Sequence, residues 1–218
     1  MRLRGELARL RSLWRPIKIR NYLLTTNEPA LHIGCGELNS PGWFNVDKFN
    51  ANADTYLDAS RRFPFKDDSF SLIFTEHVIE HLEIDRIQQF LSEILRVLRP
   101  GGICRITCPS LELYARYYVE NDRDFFQNVM QGIERKRRKR PEQTWIVRTN
   151  GSAFMTGVVK TFYGHRWMYD FETLEACLKA VGFRNTIQRA FQESESTRLA
   201  NMDNPDRAFE TLYVEASK

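Results

Sequence analysis

Apolar and polar positions change rhythm several times along this chain. Near the start, Leu3, Leu7, Leu10 and Trp14 recur at helical spacing with Arg2, Arg4, Arg9, Arg11 and Arg15 between them, which predicts a basic amphipathic helix ended by Pro16. From Ala30 the pattern shortens to ALHIGCG, an apolar strand running into a glycine turn. WFNVD follows as a second strand that ends in an acid, and a third closes at Tyr56-Leu57-Asp58. FPFKDDSF then turns the chain into a fourth strand, Ser71-Leu72-Ile73-Phe74, which leads directly into Thr75-Glu76-His77. Ile87, Phe90, Leu91, Ile94, Leu95 and Leu98 form one face of a helix, with Asp85 and Gln88 at capping-box spacing and Pro100-Gly101-Gly102 as its stop. A strand from Ile103 to Cys108 ends at Pro109, and a helix from Asp170 carries Leu174, Cys177, Leu178 and Val181 before Gly182 stops it. Two closing strands, Phe183 to Phe191 and Thr211 to Ala216, are separated by a long polar connection.

Strands that alternate with helices predict an α/β fold with a Rossmann-like, mostly parallel sheet. The two final strands, joined without a helix, predict an antiparallel C-terminal edge. With 218 residues the chain is long enough for one such core and too short for two. The expected organisation is a basic amphipathic extension at 1–25 and one domain at 26–218. The stretch from about 111 to 165 is polar, aromatic and charged, has no place in the sheet, and reads as an insertion over the edge where a substrate would bind.

Composition narrows the setting. No apolar run approaches the roughly 20 residues of a membrane span, and Met1 to Tyr22 lack the apolar core of a secretory signal, so the expectation is a soluble, cytoplasmic protein. Cys35, Cys104, Cys108 and Cys177 form no C-x-x-C pair and read as reduced thiols. The net charge of +4 is concentrated in residues 2–20 and in the run Arg135 to Arg140. That run has the charge to meet phosphate groups of a nucleic acid, an anionic lipid or a pyrophosphate-linked sugar. It lacks interleaved aromatics for base stacking, so it reads as a solvated loop, and nucleic acid is not expected as a partner. The N-terminal helix leaves two placements open: peripheral on an anionic membrane surface, or covering the domain's own sheet.

In an open parallel sheet, ligands sit beyond the carboxyl ends of the strands, at the point where strand order reverses. Here those ends carry Gly34-Cys35-Gly36, Asp47, Asp58, Thr75-Glu76-His77 and Pro109-Ser110. Glycines at 34 and 36 let the backbone approach a ligand closely, Asp47 suits the two hydroxyls of a ribose, and Asp58 followed by the small Ala59 suits an adenine edge. A nicotinamide-binding fingerprint fails, because Asn39 stands where G-x-G-x-x-G requires its third glycine and the acid arrives too early.

LHIGCG, NVD, YLDAS, PFKDDSFSLIFTEHVIEHL and LRVLRPGG, in this order, resemble the consecutive motifs of the class I S-adenosylmethionine-dependent methyltransferases over roughly residues 30 to 110. YGHRWMYD and LYVEASK are similar to segments of a methyltransferase-domain group found among polysaccharide-biosynthesis proteins. The resemblance implies S-adenosylmethionine as cofactor, with Gly34, Cys35 and Gly36 around its methionine part, Asp47 on the ribose and Asp58 and Ala59 on the adenine. It places Thr75, Glu76 and His77 beside the sulfonium. Two positions depart from the family pattern: His32 replaces the usual acid before the first glycine, and Leu38 replaces the third glycine. The short gap from Gly36 to Asp47 predicts that the first crossover helix is truncated or replaced by the loop ELNSPGW.

Methyl transfer is an in-line displacement at an activated carbon, so alignment and exclusion of water are the protein's main tasks. An oxygen or nitrogen acceptor also benefits from a base, for which His77 and His165 are the candidates. The expected acceptor is a small-molecule or glycan-linked hydroxyl, the glycan part resting on the resemblance. His77-x-x-Glu80-His81 has metal-ligand spacing, but that segment recurs in the superfamily without metal, and no metal ligand is assigned from sequence. Two rivals are a catalytically inactive binding module recruited through its basic surfaces to membrane or nucleic acid, and a different transfer, such as aminopropyl transfer, from the same pocket. The chain shows no acidic polyamine channel to support the latter.

Overall fold

The structure is a computed structural model that describes residues 15–37, 39–137, 149–158 and 164–218. Its centre is a seven-stranded sheet in the order β3-β2-β1-β4-β5-β7-β6. Strands β1 (Ala30–Ile33), β2 (Phe44–Asp47), β3 (Thr55–Tyr56), β4 (Phe70–Glu76) and β5 (Leu98–Pro109) pair in parallel. β7 (Thr211–Ser217) inserts antiparallel between β5 and β6 (Arg184–Arg189), forming the predicted antiparallel edge. Strand order reverses between β1 and β4, so the crevice at their carboxyl ends is where such a sheet binds a ligand.

Local sequence explains most boundaries. Helix α1 (Arg15–Thr25) continues past Pro16. Pro16 lies in its first turn, where proline's fixed φ is helical and its missing N–H costs no intrahelical bond; the predicted stop of a preceding helix falls on residues outside the described ones. Residues 1–14, most of the predicted basic helix, lie outside the described residues. Ile19, Tyr22 and Leu23 of α1 pack against the main core, and the Tyr22 hydroxyl lies 3.0 Å from Ala30 O, Ala30 N and Gly42 O. The described part of the N-terminal segment therefore covers the domain's own sheet. Among the described residues, no helix spans β1 to β2, and turns occupy the short gap as expected.

Helix α2 (Ile84–Val97) buries Ile87, Phe90, Leu91, Ile94 and Val97. It starts one residue before Asp85, its N-cap is Glu83, and no side chain caps it. The predicted capping box is thus corrected: Asp85 lies inside the first turn, where its charge favours the positive end of the helix dipole. β5 begins at Leu98 and runs through Pro100-Gly101-Gly102, with Gly101 at φ +75°. Helix α6 (Phe171–Val181) is bounded as its sequence indicates, Asp170 accepting from Thr173 N at 2.9 Å and Gly182 closing it at φ +107°.

The stretch after β5, which has no strand pattern, is mainly helical over its described residues. It forms α3 (Leu111–Val119), α4 (Arg123–Arg137) and α5 (Asn150–Val158). Tyr114, Phe125, Phe126, Val129, Ala153 and Met168 give these helices a second core, with Tyr114–Phe125 and Phe125–Phe126 rings edge-to-face at 5.1 and 5.0 Å. The basic run 135–140 begins at the end of α4, and its residues 138–140 lie outside the described residues. Two further short elements complete the chain, α7 (Thr197–Ala200) and a 3-10 turn at Pro205–Arg207.

Candidate active site

A cavity of about 1060 Å³ opens at the switch point. Its wall brings together most of the predicted residues: Gly34, Cys35 and Gly36 after β1, Asp47 at the end of β2, Asp58 and Ala59 after β3, and Glu76 and His77 at the end of β4. Gly34 and Gly36 have φ of +74° and +58°, which L side chains rarely adopt. A Cβ on Gly34 would stand 2.3 Å from Val78 Cγ2, so this glycine is needed both for its conformation and for the close approach of the β4 turn. Cys35 is buried beside it, and burial pushes its thiol up to about 11, so it lines the cavity as a neutral group.

The acids are organised before any ligand arrives. Asp47 accepts from Gly36 N at 3.1 Å and from Asn50 N at 2.7 Å, tying the glycine turn to the loop after β2. Burial raises the Asp58 carboxyl, but hydrogen bonds from Ser60 (2.7 Å from Oγ) and from Lys48 outweigh it and hold it below the ordinary carboxylate range. Lys48 Nζ lies 2.9 Å from Asp58. Glu76 is raised, chiefly by burial, and accepts from Asn204 N at 3.3 Å.

Thr75 does not line the cavity and is 1% exposed. Side chains alternate along a strand, so with Glu76 directed at the cavity the Thr75 side chain is directed to the opposite face of the sheet. His32, the first departure from the family pattern, is likewise off the cavity wall. It is buried, 3.3 Å from Asn45 Oδ1, with its ring 5.4 Å from that of Phe74. Burial holds it down at about 4 and therefore neutral. Leu38, the second departure, lies outside the described residues.

A second cavity of about 330 Å³ adjoins the first, and His77, His81, Asn204 and Arg207 line both. Its other walls are Pro109 at the end of β5, Tyr114 of α3, Asn128, Val129 and Gly132 of α4, His165, and Asp206, Phe209 and Glu210 before β7. The insertion helices thus wall this second space. Glu210 is fixed by the Tyr114 hydroxyl, which donates to it at 2.6 Å.

The two candidate bases differ in their surroundings. His77 has a left-handed backbone, φ +51°, at the point where β4 breaks into a 3-10 turn (Ile79–His81). Arg207 donates to its Nδ1 at 2.7 Å, which leaves the proton on Nε2, 3.1 Å from Thr211 Oγ1. His165 reaches the site because the YGHRWMYD segment is pinned across the turn: Arg166 N and Trp167 N both donate to Glu80 O (2.6 and 3.3 Å), and Tyr169 forms a parallel bridge with Ser110. The His165 and His81 ring centroids lie 5.0 Å apart.

Sequence reasoning missed Asn204 and Arg207. Asn204-Pro205-Asp206-Arg207 carries a visible signal, a capping Asn followed by Pro, and Asn204 indeed accepts from Asp206 N at 3.0 Å. Its delivery to the site depends on the buried Arg105. That guanidinium is bidentate to Asp203 at 2.8 and 2.7 Å and also binds Glu215 at 2.9 Å.

Residues 45–106 match a family model described as "Methyltransferase domain". The fold is also similar to a SAM-dependent methyltransferase of Archaeoglobus fulgidus, at 17% identity and TM-score 0.49, covering 97% of this chain and 94% of that one. It is similar to a possible histamine N-methyltransferase of Thermotoga maritima, at 15% identity and TM-score 0.49, covering 98% and 97%. A third similarity is to phosphoethanolamine N-methyltransferase 2 of Haemonchus contortus, at 17% identity and TM-score 0.47, covering 88% of this chain and 49% of that one. The matched segment holds Asp47, Asp58, Ala59, Glu76 and His77, and with the glycine turn these residues line one cavity at the switch point, so the methyltransferase-domain match and the cavity fall on the same strand ends.

Proposed function

We propose that the enzyme methylates a hydroxyl of a small or glycan-linked acceptor bound in the second cavity. The observation that carries this reading is the shared wall: His77, His81, Asn204 and Arg207 belong to both spaces, so a donor in one and an acceptor in the other meet there. The larger cavity suits the cofactor. Gly34 leaves room where a Cβ would collide, Asp47 offers a carboxylate suited to a ribose diol, and Leu57 and Ala59 offer apolar surface suited to an adenine. When bound, S-adenosylmethionine supplies a methyl group already activated as an electrophile by its sulfonium.

The protein's own residues then align and shield. The insertion helices close the acceptor side against water, which favours in-line attack by an oriented oxygen. His77 is held by Arg207 and Thr211 and acts as a positioning residue on the shared wall. His165, on the acceptor side, is available to an acceptor oxygen bound in that cavity. The polar lining, with Asn128, Asp206 and the Tyr114–Glu210 pair, supports a hydroxyl-rich acceptor better than an apolar one.

The first test is calorimetric titration with S-adenosylhomocysteine, in parallel with Asp47→Ala. The native chain is expected to bind saturably and the variant to lose binding; equal affinity in both would remove Asp47 from the site. A screen of hydroxylated acceptors with labelled methyl donor follows. Labelling confined to amines would overturn the hydroxyl assignment.

A further inference from the structure

Glu80 is a buried carboxyl set among imidazoles. It is 0% exposed, and among the described residues neither carboxyl oxygen has a hydrogen-bond partner. A buried carboxyl ordinarily has its oxygens satisfied, because desolvation without compensation is costly. Around it stand imidazoles: His77 Nδ1 at 3.2 Å, His81 Nε2 at 3.8 Å, and His165. Glu80, His81 and His165 each present one ligand atom, and the three atoms lie within 4.8 Å of one another. Three donors on a single ion sit about 2.1 Å from it and hence roughly 3.4 Å apart in a tetrahedral arrangement, so modest side-chain rotations would gather these three. The backbone already fixes their relative placement through the bonds from Arg166 and Trp167 to Glu80 O.

We propose that Glu80, His81 and His165 form a binding site for one divalent transition-metal ion at the wall of the acceptor cavity. Two imidazoles and one carboxylate suit borderline cations such as manganese, iron, cobalt or zinc better than magnesium or calcium, which prefer oxygen ligands. His81 and His165 line the acceptor cavity, so the ion's remaining positions open toward it and can take water or an acceptor oxygen. The ion would supply a fixed positive charge bonded directly to the buried Glu80 carboxylate. His77 stays outside the ligand set because its Nδ1 accepts from Arg207. The site stands on this cluster alone; its use in orienting an acceptor oxygen rests on the acceptor reading above.

The test uses full-length protein without a polyhistidine tag, stripped with chelator and titrated with Co²⁺ alone. Visible d–d absorption and calorimetry read occupancy. Expected is one ion per chain, with affinity lowered on the order of 10–100-fold or more in Glu80→Gln, His81→Asn and His165→Ala, since a lost ligand costs at least as much as a lost outer partner. Each variant is also titrated with S-adenosylhomocysteine, which identifies those that keep the folded cofactor site. The proposal is overturned if the native chain binds no stoichiometric Co²⁺, or if the variants that retain S-adenosylhomocysteine binding keep native Co²⁺ affinity. Failure of the cofactor reading shows separately, as Co²⁺ binding without S-adenosylhomocysteine binding.

Discussion

Replacing Arg105 by methionine should destabilise the protein severely and weaken cofactor binding, although Arg105 touches neither cavity. The guanidinium is fully buried on β5 and makes five hydrogen bonds: two to Asp203, one to Glu215, and one each to Glu193 O (2.8 Å) and Ala190 O (3.1 Å). Glu215 keeps a second cation in Arg189 at 3.2 Å, so its charge is not stranded. Asp203, itself buried, keeps only Gln192 N at 2.7 Å. Removing one partner of a buried pair costs about 3–5 kcal/mol, which for a domain of this size lowers Tm by roughly 6–20 °C. Exchanging Asp203 as well, as Arg105→Met with Asp203→Asn, removes the stranded charge and retains an acceptor for Gln192 N, so the double variant should recover at least half of the loss. Because Asp203 precedes Asn204, whose N–H reaches Glu76, the single variant should also bind S-adenosylhomocysteine more weakly at a temperature where it is still folded. Thermal unfolding followed by circular dichroism, with calorimetric titration at low temperature, checks both parts. A Tm change below about 2 °C, or a double variant no better than the single one, would refute the reasoning, since each outcome falls outside the expected range.

Three other outcomes follow from the geometry. Gly34→Ala combines a left-handed backbone with a Cβ inside the Val78 contact, so it should weaken S-adenosylhomocysteine binding much more than Gly36→Ala, whose Cβ would meet nothing within 4 Å; equal losses would mean that the Val78 approach is unimportant. His32 is held at about 4 when folded against 6.5 as a model group, so between these values the unfolded chain binds a proton that the native chain does not. Stability should therefore be intact above about pH 6.5 and fall on acidification, by about 2 kcal/mol at pH 5. The urea midpoint of native protein should drop across that range more than that of His32→Gln, and parallel slopes would exclude His32 as the cause. Tyr114→Phe removes the donor to Glu210 and should cost about 1 kcal/mol in stability, with an altered acceptor KM; unchanged KM with labelled donor would separate this pair from acceptor binding.

Where the chain's local pattern coincides with the element that forms, its sequence is sufficient. Alternating strands, the Asp170 cap and the Gly182 stop are set by residues within a few positions of one another, and they stand where periodicity places them. The lining of the switch-point cavity was legible for the same reason: each strand end carries its own short motif, and a parallel sheet brings such ends to one edge. Failures occur where local chemistry had competing outcomes. Asp85 has capping-box spacing, but α2 starts earlier because Ile84 already belongs to it. Thr75 belongs to a strand-end motif, but alternation directs its side chain to the opposite face of the sheet. The insertion gave no strand signal because its aromatics pack against one another on three helices. Asn204 and Arg207 were hidden because a buried ion pair between residues 98 positions apart delivers them to the site.

The abrupt turn at His77 connects these observations. A left-handed backbone on a residue other than glycine is locally unfavourable, and it persists where surroundings over-determine it. Here the His77 N–H extends the β4–β5 ladder to Thr107 O at 2.9 Å, while its ring is held by Arg207 and Thr211. With both ends fixed, the chain breaks from β4 into the 3-10 turn at once, setting Val78 against Gly34 on the cofactor side and Glu80 inward beneath His81 and His165 on the acceptor side. A relaxed turn would separate these contacts. One constrained residue thus couples the close packing of the glycine turn to the placement of a buried carboxylate, so the two cavities share geometry as well as a wall.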